Sequence, residues 1–388
     1  MSISSKYHKA LTLNYTNDLY GLALKKGDCI FLTGSCPLPT PKILYQKLLE
    51  SFTKDSSFCS YNTGMPALKS AIGEYIEKHS GVEIDTQKRL LITLGATTFL
   101  QQLFIYLLDD ERECLVMTPT FQDYFNQIRV TRSRTIEVPM VEANNSWVVD
   151  FDAVKKAITS KTKVILLCSP NNPTGKVYSK EELKEFCQIA KENDAYLVLD
   201  EAYNYLIYEG SFISPLSFSE YADNVIVVRT FSKEFGMCGW RVGYAVVPEI
   251  MKDELFHFQL SFNSVPAAIS QMAALLSLNT QEIEDKVKVE IERTRQKRDY
   301  VIDRVRGIGK DLSLIAPEGC VYLYVKYGKD IPSYDFCKDI IEKVGVILSP
   351  GIGNGEGGEG HFCITFADSL EIIQEGMDRL QEYFNKYY

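Results

Sequence analysis

Only four histidines and two tryptophans occur in the 388 residues, and the ten cysteines include no Cys-x-x-Cys pair. The histidines, His8, His79, His257 and His361, share no ligand spacing with one another or with the cysteines, so no zinc site is expected. Cysteines scattered along a long chain lack the density of a secreted disulfide scaffold. They predict free, mostly buried thiols in a reducing compartment. Positive charge is not in excess: 42 Lys and Arg stand against 51 Asp and Glu, a formal net charge of -9. That balance provides no global basic field to hold nucleic acid. No apolar run reaches the roughly 20 residues needed to span a bilayer, and MSISSKYHKALTLNYTND has no signal-peptide core. The expectation is a cytoplasmic protein bound neither to nucleic acid nor to membrane.

What is present is ordinary globular composition, 45% hydrophobic and 24% charged, with length enough for two domains. From about residue 66 onward, helical and strand patterns alternate. PALKSAIGEYIEKH and TTFLQQLFIYLL read as helices. RLLITLG, ECLVMTP, KVILLCSP, AYLVLDEA, NVIVVRTF and WRVGYAVV are short runs rich in Val, Ile and Leu, suited to strands covered on both faces. EELKEFCQIAKEN has the spacing of a crossover helix between two of them. After about residue 275 a long charged helix leads into LSLIAPEGCVYLYV, GVILSP and HFCITFAD, with helices between and after. The fold class is therefore α/β: a large domain over residues 45–275 around a mostly parallel sheet. A smaller α+β domain is expected from residues 1–44 and 276–388.

Four segments carry chemistry. In RTFSKEFGMCGWRVGY an apolar strand ends at Thr-Phe-Ser-Lys, and Lys233 is placed where burial would lower its pKa and free the amine as a nucleophile. In VLDEAYNYL a strand ends at Asp200, with Tyr203 three residues on. CSPNNPTG runs from a strand into an Asn-Pro turn. TLGATTFLQQL places Gly and Ala ahead of a helix N-terminus, a general arrangement for holding an anion. Each segment alone has an ordinary structural explanation: a surface lysine, a loop aspartate, a turn, a βα connection. Together, in that order and each at a strand end where open α/β sheets bind ligands, they point to one site.

SYNTGMPALKSAI, TLGATTFL, PTFQDY, SPNNPTG, DEAY and TFSKEFGMCGWRVGY resemble the successive segments of class I and II aminotransferases, the aspartate-aminotransferase-like enzymes of fold type I. The likeness runs from TGSCPLPTP to CITFAD. It implies pyridoxal 5'-phosphate, with Lys233 as the Schiff-base lysine that also moves the substrate proton. Asp200 would pair with the ring nitrogen, and Asn172 and Tyr203 would bond the ring's phenolic oxygen. Phe121 would stack on the ring, and Ala96, Thr97, Thr230 and Arg241 would hold the phosphate. Tyr61, and with it Ser264, would reach the phosphate of the neighbouring subunit, implying a homodimer with shared sites. The substrates would be a small-molecule amino donor and a carbonyl acceptor.

One expected residue is missing. The resemblance implies an arginine in the last strand that binds the substrate α-carboxylate, and Cys363 stands in its place. Gly34, Cys363, Tyr322 and Asn172 would face the substrate. Cysteine offers a weak donor and no charge, and a buried carboxylate without its partner typically costs roughly 3–5 kcal/mol. Three readings follow. The substrate lacks an α-carboxylate; or another group, Arg129, Arg132, Lys25, Lys26 or the Gly34 backbone, holds it; or the cofactor supports a lyase or cyclase reaction. A non-catalytic homologue fits the retained Lys233, Asp200 and Arg241 poorly. A cofactor-sensing regulator would need a DNA-binding module ahead of the match, which begins by about residue 28. The Gly-rich stretch at 351–360 precedes a strand and so is expected to space pocket strands rather than bind a nucleotide. His361 is expected at the surface, with a pocket role beside Cys363 as the alternative. Cys320 is the other cysteine expected near the substrate.

Overall fold

The computed structural model describes residues 14–36, 38–51, 63–309 and 311–388. The six apolar runs, joined by the mixed segment Arg134–Pro139, form one sheet. Its strands are Leu90–Thr93 (β1), Glu113–Thr118 (β2), Arg134–Pro139 (β3), Thr162–Cys168 (β4), Tyr196–Asp200 (β5), Val225–Thr230 (β6) and Gly243–Val246 (β7), in the order β1-β7-β6-β5-β4-β2-β3. All neighbours are parallel except β7, which runs against both β1 and β6. Apart from the edge strand β3, which is polar and only partly buried, the strands are mainly apolar and buried because helices cover both faces, which leaves no wet side on which alternation could appear.

Local chemistry sets the helix ends. The crossover helix Lys180–Glu192 opens with a capping box, in which Ser179 and Glu182 satisfy each other's backbone N–H groups. Gly95, with φ at +80°, turns β1 into the helix Ala96–Leu107. The final strand is shorter than the apolar run suggests. Trp240 and Arg241 belong to a turn before Gly243, and Arg241 has left-handed backbone, φ +51°.

The C-terminal third forms a second, four-stranded antiparallel sheet: Ser313–Leu314 (β8), Tyr322–Lys326 (β9), Ser349–Pro350 (β10) and His361–Thr365 (β11), in the order β8-β9-β11-β10. The long charged helix is Gln281–Ile308. Ile30–Phe31 pairs in parallel with Val346–Ile347, which ties the beginning of the described chain to this layer. The Gly-rich stretch does join two pocket strands, and Gly351 packs so close to the Gly358 carbonyl that no Cβ fits. No helix among the described residues is long and apolar enough to cross a membrane.

Parallel pairing decides where chemistry collects. Thr118, Cys168, Asp200 and Thr230 end their strands on one edge of the sheet. Because β7 runs the other way, its first residue Gly243 pairs with both Thr230 and Thr93, bringing the Gly95 turn to the same edge. Directly beneath lies a buried ion pair, Arg229 Nε to Glu201 Oε2 at 2.7 Å, with Ser214 Oγ donating to the other carboxylate oxygen. Replacing Glu201 with alanine would strand the Arg229 charge in the interior. Urea unfolding of Glu201→Ala should therefore show a loss of roughly 3–5 kcal/mol. A loss under 1 kcal/mol would mean that the site floor does not depend on this pair.

Two expectations are corrected. His361 is buried rather than at the surface. It stacks on Tyr324, bonds Glu142 through Nε2 at 3.0 Å, and does not line the central cavity. The cysteines are not all free: Cys36 and Cys238 form a disulfide across 202 residues. Nothing in their spacing could show this, since only folding brings the two segments together. The other seven described cysteines are free, and six of those are buried.

Candidate active site

A cavity of ≈ 320 Å³ opens at the strand ends between the two sheets. Its floor is Asp200. The Tyr124 hydroxyl donates to Asp200 Oδ2 at 2.7 Å and the Ala202 N–H to Oδ1 at 3.0 Å. Burial raises the carboxyl pKa, and these two donors and Lys233 oppose that rise. Both donors are neutral, so no cation is bonded to this carboxylate. An aspartate held in this way is prepared to meet a cationic ring nitrogen.

Lys233 sits in the short helix Phe231–Glu234, started by Thr230, whose hydroxyl accepts from the Ser232 N–H. Burial is the main cause that pulls its pKa down to about 8; nearby Arg241 adds to this, while Cys320 and Asp200 oppose it. Nζ donates to Ser35 Oγ at 2.8 Å. A group with that pKa is substantially neutral near pH 8, as a nucleophile toward an aldehyde requires.

The helix Ala96–Leu107 offers the anion site. Gly95 supplies no side-chain cap, so the first N–H groups stay available. A Cβ at Gly95 would meet Arg241 Nη2 at 2.8 Å, so glycine is what admits the guanidinium there. The Cys238 carbonyl orients Arg241 by accepting from Nη1 at 2.8 Å. Ala96, Thr97, Thr230 and Arg241 all line the cavity. The charge and free donors of this lining suit a dianionic phosphate, and with the aspartate and the lysine of lowered pKa the residues fit pyridoxal 5'-phosphate.

Phe121, Asn172 and Tyr203 all line the cavity, and Tyr203 Oη lies 3.4 Å from Tyr322 Oη. Cys363 faces the same space from β11 with Ser349 opposite it in register. Gly34 does not line the cavity, although its neighbours Thr33 and Ser35 do. Cys320 is fully buried beneath the lining rather than in it. Ser264 is exposed and does not line the cavity of this chain. Tyr61 lies outside the described residues.

The pattern of the family described as aminotransferase class I and II matches residues 22–380. The chain belongs to that family. It is 30% identical over 369 residues to an aspartate aminotransferase of Pyrococcus abyssi, covering 94% of each chain. An aromatic-amino-acid aminotransferase of Thermococcus litoralis is 29% identical over 352 residues, 90% of each. A solved aspartate aminotransferase of Thermus thermophilus, a single mutant, superposes with a TM-score of 0.90 at 28% identity. That likeness covers 98% of this chain and all of the other. This aminotransferase uses pyridoxal 5'-phosphate, as the family does.

Several of its site residues escaped sequence reading. Tyr124 stands inside PTFQDY, but nothing local shows that it reaches Asp200, 76 positions away. Ser35, Cys36 and Cys238 sit in irregular loops with no periodic signal. Gln122 and Asn354 also line the cavity. Asn354 is fixed there by its Nδ2 donating to the Thr120 carbonyl at 2.8 Å.

Proposed function

We propose that this aminotransferase acts on an amine substrate without an α-carboxylate, with Lys233 as its acid–base catalyst. The carrying observation is the charge of the cavity lining. Lys233 and Arg241 are its only cations among the described residues. Lys233 is taken up by the chemistry and Arg241 by the phosphate. Where the resemblance implies a carboxylate-binding arginine, Cys363 is buried, and burial pushes its thiol pKa up so that it stays neutral. The other cations considered from the sequence point elsewhere. Arg132 pairs with Asp110 at 3.1 Å, Lys26 bonds the Glu342 carbonyl, and Arg129 lines a separate cavity beside Glu137. A carboxylate entering this lining would lose its hydration without gaining an ionic partner.

When bound, the cofactor supplies an aldehyde that captures the substrate amine and a ring that draws off the electron pair at Cα. Asp200 would hold the ring nitrogen, Asn172 and Tyr203 the phenolic oxygen, and Phe121 one ring face. Ala96, Thr97, Thr230 and Arg241 would hold the phosphate. The neutral amine of Lys233 would take the proton from the substrate Cα and deliver it to the cofactor's former aldehyde carbon on the other side of the substrate nitrogen, with Ser35 fixing the orientation of Nζ. Tyr322, Cys363 and Asn172 would face the substrate side, with the Gly34 backbone behind Ser35. A large domain over residues 45–275 and a small one from 1–44 and 276–388 are proposed as well, a reading that the two separate sheets support. A homodimer sharing its sites through Tyr61 and Ser264 is also proposed. Exposed apolar Phe262 and Ile269 flank Ser264 and would be covered by it. Sedimentation as a monomer would remove that part.

The test is the absorbance of the loaded enzyme mixed separately with α-amino acids and with amines lacking a carboxylate. Loss of the visible band with amines alone is expected, together with gain of the near-ultraviolet band of the aminated cofactor. Conversion by amino acids instead would show that another group holds the carboxylate. A substrate that is consumed without leaving the aminated cofactor would favour lyase or cyclase chemistry.

A further inference from the structure

The Cys36–Cys238 bridge is used by none of the steps above, yet both residues line the active cavity. Cys36 lies in a segment rooted in the second sheet layer: the Leu32 N–H bonds the Ile347 carbonyl, and the Thr365 N–H bonds Leu32. Cys238 lies in the loop that follows Lys233. The bridge, with 6.8 Å between its Cα atoms, therefore joins the two layers across the edge of the cavity. It does so at the catalytic amine: Cys36 Sγ is 4.0 Å from Lys233 Nζ, and the preceding residue is the Ser35 that accepts from it.

The backbone around the bridge is built for function on both sides. The Cys238 carbonyl orients Arg241. Apart from the bridge, the strap 32–41 is tied to the Cys238 loop by the Thr40 hydroxyl, which donates to the Gly236 carbonyl and accepts from Trp240 Nε1. The open state also has a partner ready. Cys238 Sγ lies 3.1 Å from the Ser232 carbonyl oxygen, which can accept a hydrogen bond from the thiol once the bridge is cleaved. Access is graded as exchange requires: Cys36 is exposed, Cys238 is half-buried, and Cys114, Cys168, Cys187, Cys320, Cys337 and Cys363 are buried.

We propose that Cys36 and Cys238 form a reversible thiol–disulfide site that exchanges with small-molecule disulfides and thiols and slows turnover when closed. The closed bridge fixes the strap that carries Ser35 against the Lys233 loop, removing the freedom substrate needs to enter and leave between the layers. Closing begins when the Cys36 thiolate attacks a disulfide RSSR, forming Cys36–S–SR and releasing RS⁻. The Cys238 thiolate then attacks Cys36 Sγ and releases the second RS⁻. Two electrons pass from the protein to RSSR, and the two thiol protons go with the leaving groups. Opening is the reverse, driven by excess thiol. The proposal does not depend on which amine is the substrate.

The holoenzyme should be equilibrated in glutathione buffers of graded reduced-to-oxidised ratio, then blocked and mapped as non-reduced peptides. In parallel, its half-reaction is timed with whichever amine or amino acid converts the cofactor fastest. A bridged Cys36–Cys238 peptide is expected to grow with oxidation while the rate falls by about tenfold or more. Excess dithiothreitol should reverse both. Cys36→Ser and Cys238→Ala should each become insensitive to oxidised glutathione relative to their own reduced rates. The proposal is overturned if both cysteines stay free at every ratio. It is equally overturned if only a mixed disulfide on Cys36 forms, or if the bridge forms with no change in rate.

Discussion

Replacing Lys233 with alanine is expected to lower turnover by roughly 10⁴-fold or more, because the proposed function gives one side chain the roles of both nucleophile and proton carrier. Few neighbours could stand in for it. Ser35 is a neutral hydroxyl, and Tyr203 and Tyr322 have pKa values that burial raises above the ordinary phenol range. The variant should still fold. Removing a half-lowered amine from the cavity costs mainly its bond to Ser35, about 1 kcal/mol. The visible band of the loaded enzyme should be lost while the thermal midpoint moves little. Turnover retained at even a hundredth of wild type would sink the assignment. Lys233 also sets a pH dependence. Its pKa near 8 lies below that of an ordinary lysine, so the reactive neutral amine is half formed at about pH 8 rather than above pH 10. The rate at which cofactor-free wild-type enzyme takes up pyridoxal 5'-phosphate should rise with pH through about 8 and then level off. A rise continuing past pH 10 would mean that the amine is solvated like a surface lysine.

Cys363→Arg should shift specificity by about two to three powers of ten toward α-amino acids. That is the affinity equivalent of the roughly 3–5 kcal/mol at stake when a buried carboxylate gains or loses its cation. The position suits the test. Cys363 pairs in register with Ser349 on one side and Tyr324 on the other, and it faces the cavity. A guanidinium there would point into the space bounded by Tyr322 and Asn354. Amines without a carboxylate should be used less well, since the new charge lacks a partner when they bind. Kd values for paired substrates, such as an amino acid and its decarboxylated amine, measure the change directly. If neither substrate class responds in a folded variant, Cys363 does not face the substrate carboxylate position. The neutral cavity would then have another explanation.

The chain carries much of its own description. Apolar runs without alternation mark strands buried on both faces, and the strand-end positions of Lys233, Asp200 and Asn172 are fixed by neighbours within a few residues. Backbone propensity, capping and burial patterns act over short distances, so they are readable from the linear order. That residue 363 is a neutral cysteine is likewise read directly, whereas the arginine expected in its place is what the family resemblance implies. Tertiary structure alone decided which distant residues meet. Tyr124 finds Asp200, Ser35 finds Lys233, Cys36 finds Cys238, and His361 turns inward to Glu142. Each pair is separated by between 76 and 219 positions. No local preference specifies such partners. They follow from the parallel order of the sheet and the seating of the second layer on its edge, where burial favours partners for most polar groups.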